Sequence, residues 1–313
     1  MNLPLEAGMR FGLMTDLPDR QTIRATTELA GRLGYDSLWL GDHLAFTQPI
    51  LDPLVRLSHA AAFSERLTFG TAVYLLPLRH PVPVAKQVAS LDVVAEGRLI
   101  FGVGIGGEFP NEYAAAGVPH NQRGARLSEG MQVLKKLWRG DSVAHEGRFY
   151  PFPPVRMTPP PHQPGGPPLW CGGRSKAALE RAARLADGYV SYVVTPEMFR
   201  DALDTIAAAA DAAGRTFERF GTGHLLFARI DDSYEQAYAV ANAELSARYG
   251  MDFSRATERY CALGRPEDVA ERIAAYHAAG LRHVLFDCVS PAEQRTEQRI
   301  RFAEQVRPLL ANL

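Results

Sequence analysis

Residues 70–107, GTAVYLLPLRHPVPVAKQVASLDVVAEGRLIFGVGIGG, constrain the fold more than any other stretch, because two glycine-marked apolar runs flank one amphipathic helix. That is a βαβ unit written in the letters. The run over 67–76 reads as a strand broken by Pro77 and Pro81, since a residue without a backbone N–H cannot continue a ladder. Val84, Val88, Leu91 and Val94 then recur at three- and four-residue spacing, which predicts a helix over 82–95 that ends at Glu96-Gly97. Residues 99–103 are apolar again and dissolve into Gly104, Gly106 and Gly107. Parallel strands joined this way cross over right-handed and present their loops at the strands' C-terminal ends, so 77–80 and 104–108 are expected to face one pocket.

The alternation continues through the chain. Strands are expected at 9–14, 37–40, 169–172, 188–192, 223–230 and 283–288, which with the two above makes eight. Helices are expected at 22–33, 53–63, 123–138, 175–185, 197–213, 233–249, 266–279 and 291–310. This pattern predicts an α/β fold, a (β/α)8 TIM barrel with insertions at its C-terminal face. The alternative, a doubly wound open sheet, gives similar local patterns but wants a dinucleotide glycine fingerprint after the first strand, where this chain has none. One domain over 1–313 is expected. Two stretches depart from the repeat. Residues 141–168 hold nine prolines behind a hairpin-like SVAHEGRFY, and read as an ordered insertion or a lid over the strand-four and strand-five mouth. Residues 250–264 read as a second, irregular insertion.

Charge and cysteine content narrow the function. A net charge of −1 with no Lys/Arg block argues against a dedicated nucleic-acid binder. No apolar run approaches the roughly 20 residues of a membrane span, and the first nine residues lack the basic start and apolar core of a signal peptide. A cytoplasmic location is therefore expected. Cys171, Cys261 and Cys288 are odd in number and without a CxxC, so they read as buried thiols. No HxH or HExxH occurs, and no metal site is expected.

Chemistry in such a barrel sits at the strand C-termini, and polar residues fall there. Asp42-His43 directly follows SLWLG; a histidine near its ordinary pKa can give or take a proton at neutral pH, while the plain alternative is a pair that caps the loop. In CGGRSKAALERAAR, Gly172 and Gly173 let the backbone come close, Ser175 is a good N-cap, and Arg174 adds a fork suited to phosphate. That is the logic of a phosphate cradle, although many strand-to-helix loops carry glycine and a cap for structural reasons alone. Gly104–Gly107 is no dinucleotide loop, because an irregular segment separates it from the next expected helix at Arg123. His80 is a further pocket candidate. His120, Arg123 and Arg126 either close over a substrate or form a solvated helix start.

LGDHL at 40–44, PLRHP at 77–81, AKQVASLD at 85–92, EGR at 96–98, GVGIGG at 102–107, RGARLSEGMQVLKKLW at 123–138 and CGGRSKAALERAARLADGY at 171–189 together resemble the bacterial-luciferase-like monooxygenase family. The match covers roughly the first two-thirds of the chain in order and spacing. The resemblance implies a (β/α)8 barrel that binds FMN or, alternatively, the deazaflavin coenzyme F420. FMN members take reduced flavin from a separate reductase and use it with O2 on a small organic substrate; F420 members pass a hydride and need no oxygen. It further implies a homo-oligomer, while the charge and the missing apolar span argue for no nucleic-acid and no membrane partner. By the same resemblance His43 contacts the flavin ring or donates a proton, with Asp42 orienting it. A non-proline cis peptide at Ala72-Val73 is implied as well, with the backbone of Ala72, Val73 and Tyr74 supporting the ring; an ordinary buried strand is the alternative. Gly104 and Gly106 join the cofactor pocket, and Gly172, Gly173, Arg174 and Ser175 fall at the family's phosphate position. Glu108 meets the acidic residue of some F420 members only after a one-residue shift. The expected function is thus FMN-dependent monooxygenation, with F420-dependent hydride transfer as the alternative and a non-catalytic flavin-binding protein or a non-redox barrel enzyme as readings of another class.

Overall fold

The computed structural model describes residues 3–107 and 109–313. Strands β1 (Arg10–Met14), β2 (Ser37–Leu40), β3 (Thr68–Thr71) and β4 (Leu99–Val103) are separated by α1 (Arg20–Arg32), α2 (Pro53–Ala61) and α3 (Pro81–Val94). After β4 come α4 (Pro110–Ala115), α5 (Arg123–Leu137) and an antiparallel hairpin of β5 (Ser142–His145) and β6 (Phe152–Arg156). Then follow β7 (Leu169–Gly172), α6 (Lys176–Leu185), β8 (Gly188–Tyr192), α7 (Pro196–Ala212) and β9 (Gly221–Ile230). The chain ends through α8 (Tyr234–Tyr249), α9 (Ser254–Tyr260), β10 (Ala262–Gly264), α10 (Pro266–Ala278), β11 (His283–Cys288) and α11 (Arg295–Arg301). Local chemistry sets the helix starts: Asp19, Asp52, Ser175, Thr195 and Ser233 each accept a first-turn N–H, and proline opens α2, α3, α7 and α10.

Strand pairing runs β11-β1-β2-β3-β4-β7-β8-β9 and closes from β9 onto β11, all parallel, so eight strands form the expected (β/α)8 barrel. The N-terminal part of the barrel is filled by two indoles, Trp39 and Trp170, whose rings lie 5.4 Å apart. Glycines on facing strands make room for them: a Cβ at Gly70 would lie 2.3 Å from the Trp39 ring, and one at Gly221 2.4 Å from Trp170. Ser37 Oγ accepts the Trp39 Nε1–H at 2.7 Å and bonds His283 Nε2 at 2.7 Å, so the Trp39 indole nitrogen is paired within the barrel. Space is also left at the strands' C-terminal ends.

Several elements differ from expectation, each for a physical reason. The strand expected over 67–76 stops at Thr71, whose O lies 2.0 Å from where a Cβ on Gly102 would sit, and the Ala72-Val73 peptide that follows is cis. Tyr74 re-forms a single bridge to Val103, and Pro77 sits in a 3₁₀ turn. Residues 250–264 are not irregular: they carry α9 and β10, the latter extending the sheet along Ala228–Ile230. The helix expected over 291–310 is broken into a 3₁₀ turn, α11, a π turn (Phe302–Val306) and a last 3₁₀ turn holding Pro308, which cannot donate to an α ladder.

The proline-rich segment is an ordered excursion along the flank. Glu129 of α5 accepts the N–H groups of Phe149 (2.9 Å) and Tyr150 (2.8 Å), and Asp92 accepts from Gln163 N (2.8 Å) and Nε2 (2.7 Å). A Cβ at Gly166 would lie 2.3 Å from Trp138. No helix of the described residues is long and apolar enough to cross a membrane.

Candidate active site

A cavity of about 480 Å³ opens at the C-terminal ends of the strands. Asp42, His43, Ala72, Val73, Gly104, Gly106, Gly172, Gly173, Arg174 and Ser175, separated by up to 133 positions in the chain, all line it. Tyr74 does not: its ring is buried in the core beneath the Arg79 guanidinium, 4.4 Å away. Residues 77–80 do not face the cavity either, and Leu75 takes their place. No residue of 141–168 lines it, so the lid expectation finds no residue at the mouth. Glu108 lies outside the described residues.

The bulge after β3 forms the cavity's middle wall. Val73 projects against two glycines: a Cβ at Gly104 would meet its side chain at 2.4 Å, and one at Gly172 at 2.9 Å. This close approach explains why the loops after β4 and β7 need glycine there. Gly173 sits at φ +131°, and a Cβ on it would press on Ala178 at 2.6 Å. Ser175 caps α6 by accepting from Ala178 N at 3.3 Å, and both residues line the cavity, which puts the N-terminal turn of α6 at its wall. Arg174 is exposed, tethered by donating to Val193 O at 3.1 Å and lying over the Tyr192 ring.

His43 is set differently from expectation. Asp42 does not orient it: that carboxylate forks with the Arg79 guanidinium and accepts Leu75 N–H at 2.8 Å, fixing the chain just past the bulge. Burial pushes the Asp42 carboxyl up, against the pull of Arg79. His43 is instead held by Glu112 of α4, whose Oε2 lies 3.2 Å from Nδ1 while Oε1 accepts Leu44 N–H (2.5 Å) and Ala45 N–H (3.0 Å). The imidazole stacks on Phe46 at 4.3 Å and meets Phe109 edge-on at 5.3 Å. A carboxylate only accepts, so Nδ1 carries the proton and Nε2 is left as the ring's basic atom. Sequence reasoning misses Glu112 because the segment between Gly107 and Arg123 reads as irregular; Pro110, two residues ahead of it, is the available helix-start signal.

The other candidates serve the scaffold. His80 caps α3 by accepting from Val82 N and meets the Tyr150 ring. Arg123 donates to His120 O at 2.9 Å, and Arg126 lies over Phe149, so neither reaches the cavity. Cys171, Cys261 and Cys288 are free and buried. Among the described residues no group of three metal-ligating side chains converges.

A family model described as luciferase-like monooxygenase matches residues 6–283. The chain belongs to the luciferase-like monooxygenase family. It is 28% identical over 314 residues to an F420-dependent glucose-6-phosphate dehydrogenase of Microbacterium testaceum, covering 90% of this chain and 91% of that protein. It is 27% identical over 249 residues to the oxygenase component of a flavin-dependent trigonelline monooxygenase of Acinetobacter baylyi, covering 75% and 68%. Among solved structures, the monooxygenase RslO1 from Streptomyces bottropensis superposes with a TM-score of 0.80 at 27% identity, covering 96% of this chain and 99% of that one. This luciferase-like chain is therefore an enzyme of a flavin- or F420-dependent oxidoreductase class.

Proposed function

We propose that this luciferase-like protein is the oxygenating component of an FMN-dependent monooxygenase, supplied with reduced flavin by a separate reductase in the cytoplasm and acting on a small organic substrate as a homo-oligomer. The observation that carries the reading is the convergence, on one cavity, of the Gly172–Ser175 cradle, the Ala72-Val73 bulge and an aromatic box around His43. The residues fit FMN. Arg174 and the N-terminal turn of α6 suit a phosphate, and Val73, Leu75 and Ile105 offer an apolar wall for a flat ring.

When bound, the flavin supplies the redox chemistry. The chain's own part is to hold the phosphate end at α6, seat the ring against Val73, and keep water from its edge with Phe46, Phe109 and Ile50. His43 Nε2 accepts or returns a proton beside that edge, with Glu112 fixing the tautomer.

The second reading, hydride transfer with F420, is favoured by the same His43–Glu112 pair, which suits a base that takes the proton of an alcohol. Anaerobic titration with reduced FMN and reduced F420 in parallel tests both. FMN is expected to bind at least about tenfold more tightly, a difference of roughly 1.4 kcal/mol. A preference for F420 selects the second reading, and binding of neither overturns both in favour of a non-redox barrel enzyme. Tight FMN binding with no oxygen-dependent turnover on any substrate points to a flavin-binding protein without catalysis.

A further inference from the structure

Opposite the cradle the cavity wall changes character. In the closed strand order β1 stands four strands from β7, half-way round the barrel, and beside it is β11. Beside Met14, Thr15 and Cys288, five charged residues from these two strands and the helices over them line the cavity: Asp16 after β1, Asp287 of β11, Arg248 of α8, and Arg295 and Arg299 of α11. Arg248 donates to Asp287 at 2.8 Å, and Arg295 donates to both oxygens of Asp16 at 2.9 and 3.2 Å. Three guanidiniums thus share two carboxylates. Among the described residues Arg299 forms no ion pair. Its terminal nitrogens reach the hydroxyls of Thr26 (3.3 Å) and Thr15 (3.1 Å), its Nε has no partner among the described residues, and the residue is only 6% exposed.

A buried cation without a counter-charge is costly, and hydroxyls do not neutralise it. An arginine that served only to tie α11 to α1 could be replaced by an uncharged donor at less cost. We infer that Arg299, with Arg295 beside it, forms a subsite for an anionic group of the substrate, a carboxylate or a phosphate. This deepens the proposed function and rests on it for the cofactor's place: the cradle end of the cavity holds the cofactor phosphate, and the β1–β11 end anchors the substrate by its charge. Planar guanidinium forks match both oxyanions, which is why the same wall suits either. The molecule so held has its uncharged part directed to the middle of the cavity, where Val73 and the His43 ring lie.

The test is calorimetric and needs no turnover. The protein, preloaded with whichever of FMN and F420 it binds, or used alone if it binds neither, is titrated with benzoate and phenyl phosphate and with the neutral analogues benzamide and benzyl alcohol. The anions are expected to bind at least about tenfold more tightly than the neutral analogues, as for a charge-assisted contact. Arg299→Met should erase that preference while leaving the neutral analogues and the cofactor unaffected; Arg299→Lys should retain part of it. If circular dichroism shows that Arg299→Met does not fold, Arg295→Met carries the same expectation. Of the two anions, the tighter identifies the group.

Equal binding of charged and neutral probes overturns the inference. So does a preference that survives in Arg299→Met and Arg295→Met but vanishes in Arg174→Ala/Ser175→Ala, since the probes would then be entering the cradle. If neither cofactor binds yet benzoate still depends on Arg299, the anion subsite stands and the flavin reading falls. If the cofactor binds and charge makes no difference, the subsite falls alone.

Discussion

Replacing Glu112 by glutamine isolates the device that sets the His43 proton. The side chain keeps its shape, and its carbonyl oxygen can still accept Leu44 N–H and Ala45 N–H, now at 2.5 and 3.0 Å from Oε1. The atom facing Nδ1 becomes an NH2 group, however, and a donor there forces Nδ1 to accept, which moves the ring proton to Nε2. Long-range ¹H–¹⁵N spectra of histidine-labelled protein read the tautomer directly: the Nδ1–H form is expected in the wild type and the Nε2–H form in Glu112→Gln. Two backbone bonds lose a charged acceptor, about 1 kcal/mol each, or about 2 kcal/mol together. At roughly 2.1 cal/mol/K per residue over 313 residues, this lowers the melting temperature by about 3 °C. Turnover should fall by about 10²–10⁴-fold, as when a base is held in the wrong tautomer, with cofactor affinity nearly unchanged. An Nε2–H tautomer already present in the wild type, or an unchanged tautomer in the variant, refutes this account of His43.

His43→Ala should lower turnover by about 10²–10⁴-fold while cofactor titrations stay near wild type; a rate that survives the change makes the histidine structural. Asp42→Asn should act on stability, because it weakens the buried fork with Arg79; denaturation should show a loss of about 3 kcal/mol, and a wild-type midpoint with a shifted His43 tautomer contradicts the assignment. His224 and His283 are buried and pushed down to about 3 by desolvation. The unfolded chain titrates near 6.5, so as pH falls below about 6.5 the unfolded state binds protons that the folded state refuses, and stability present above that pH is lost by up to about 1.4 kcal/mol per unit for each ring. Urea midpoints measured from pH 7.5 to 4.5 should fall accordingly and fall less steeply in His224→Gln; a flat profile contradicts the buried neutral rings.

Much of the barrel was legible because each strand is a short apolar run punctuated by glycine or proline. β2, β4, β7, β8 and β11 lie where the letters place them. What failed to show were contacts between segments far apart in sequence. Asp42 and His43 are neighbours in the chain, yet one faces Arg79 and the other Glu112, because successive residues leaving a strand point opposite ways. Nothing in GDH foretells either partner. The cis peptide at Ala72-Val73 was implied by resemblance alone, and the structure contains it. α9, seven residues of SRATERY, carries too little apolar periodicity to be seen, and the charged wall of Arg248, Arg295 and Arg299 comes from two helices that look like solvated surface when read singly.

In the proposed function the turn Gly172–Ser175 at the head of α6 holds the cofactor's phosphate. This role is tested most directly by titrating the wild type and Arg174→Ala/Ser175→Ala with the same reduced cofactor under anaerobic conditions, with melting curves recorded on both. Losing the charged fork costs about 1.5–3 kcal/mol, so affinity should drop by roughly ten- to more than a hundredfold while the melting temperature moves by only a few degrees. Unchanged affinity beside a lowered melting temperature would mean that Ser175 only caps a helix and that the cofactor, if there is one, is held elsewhere.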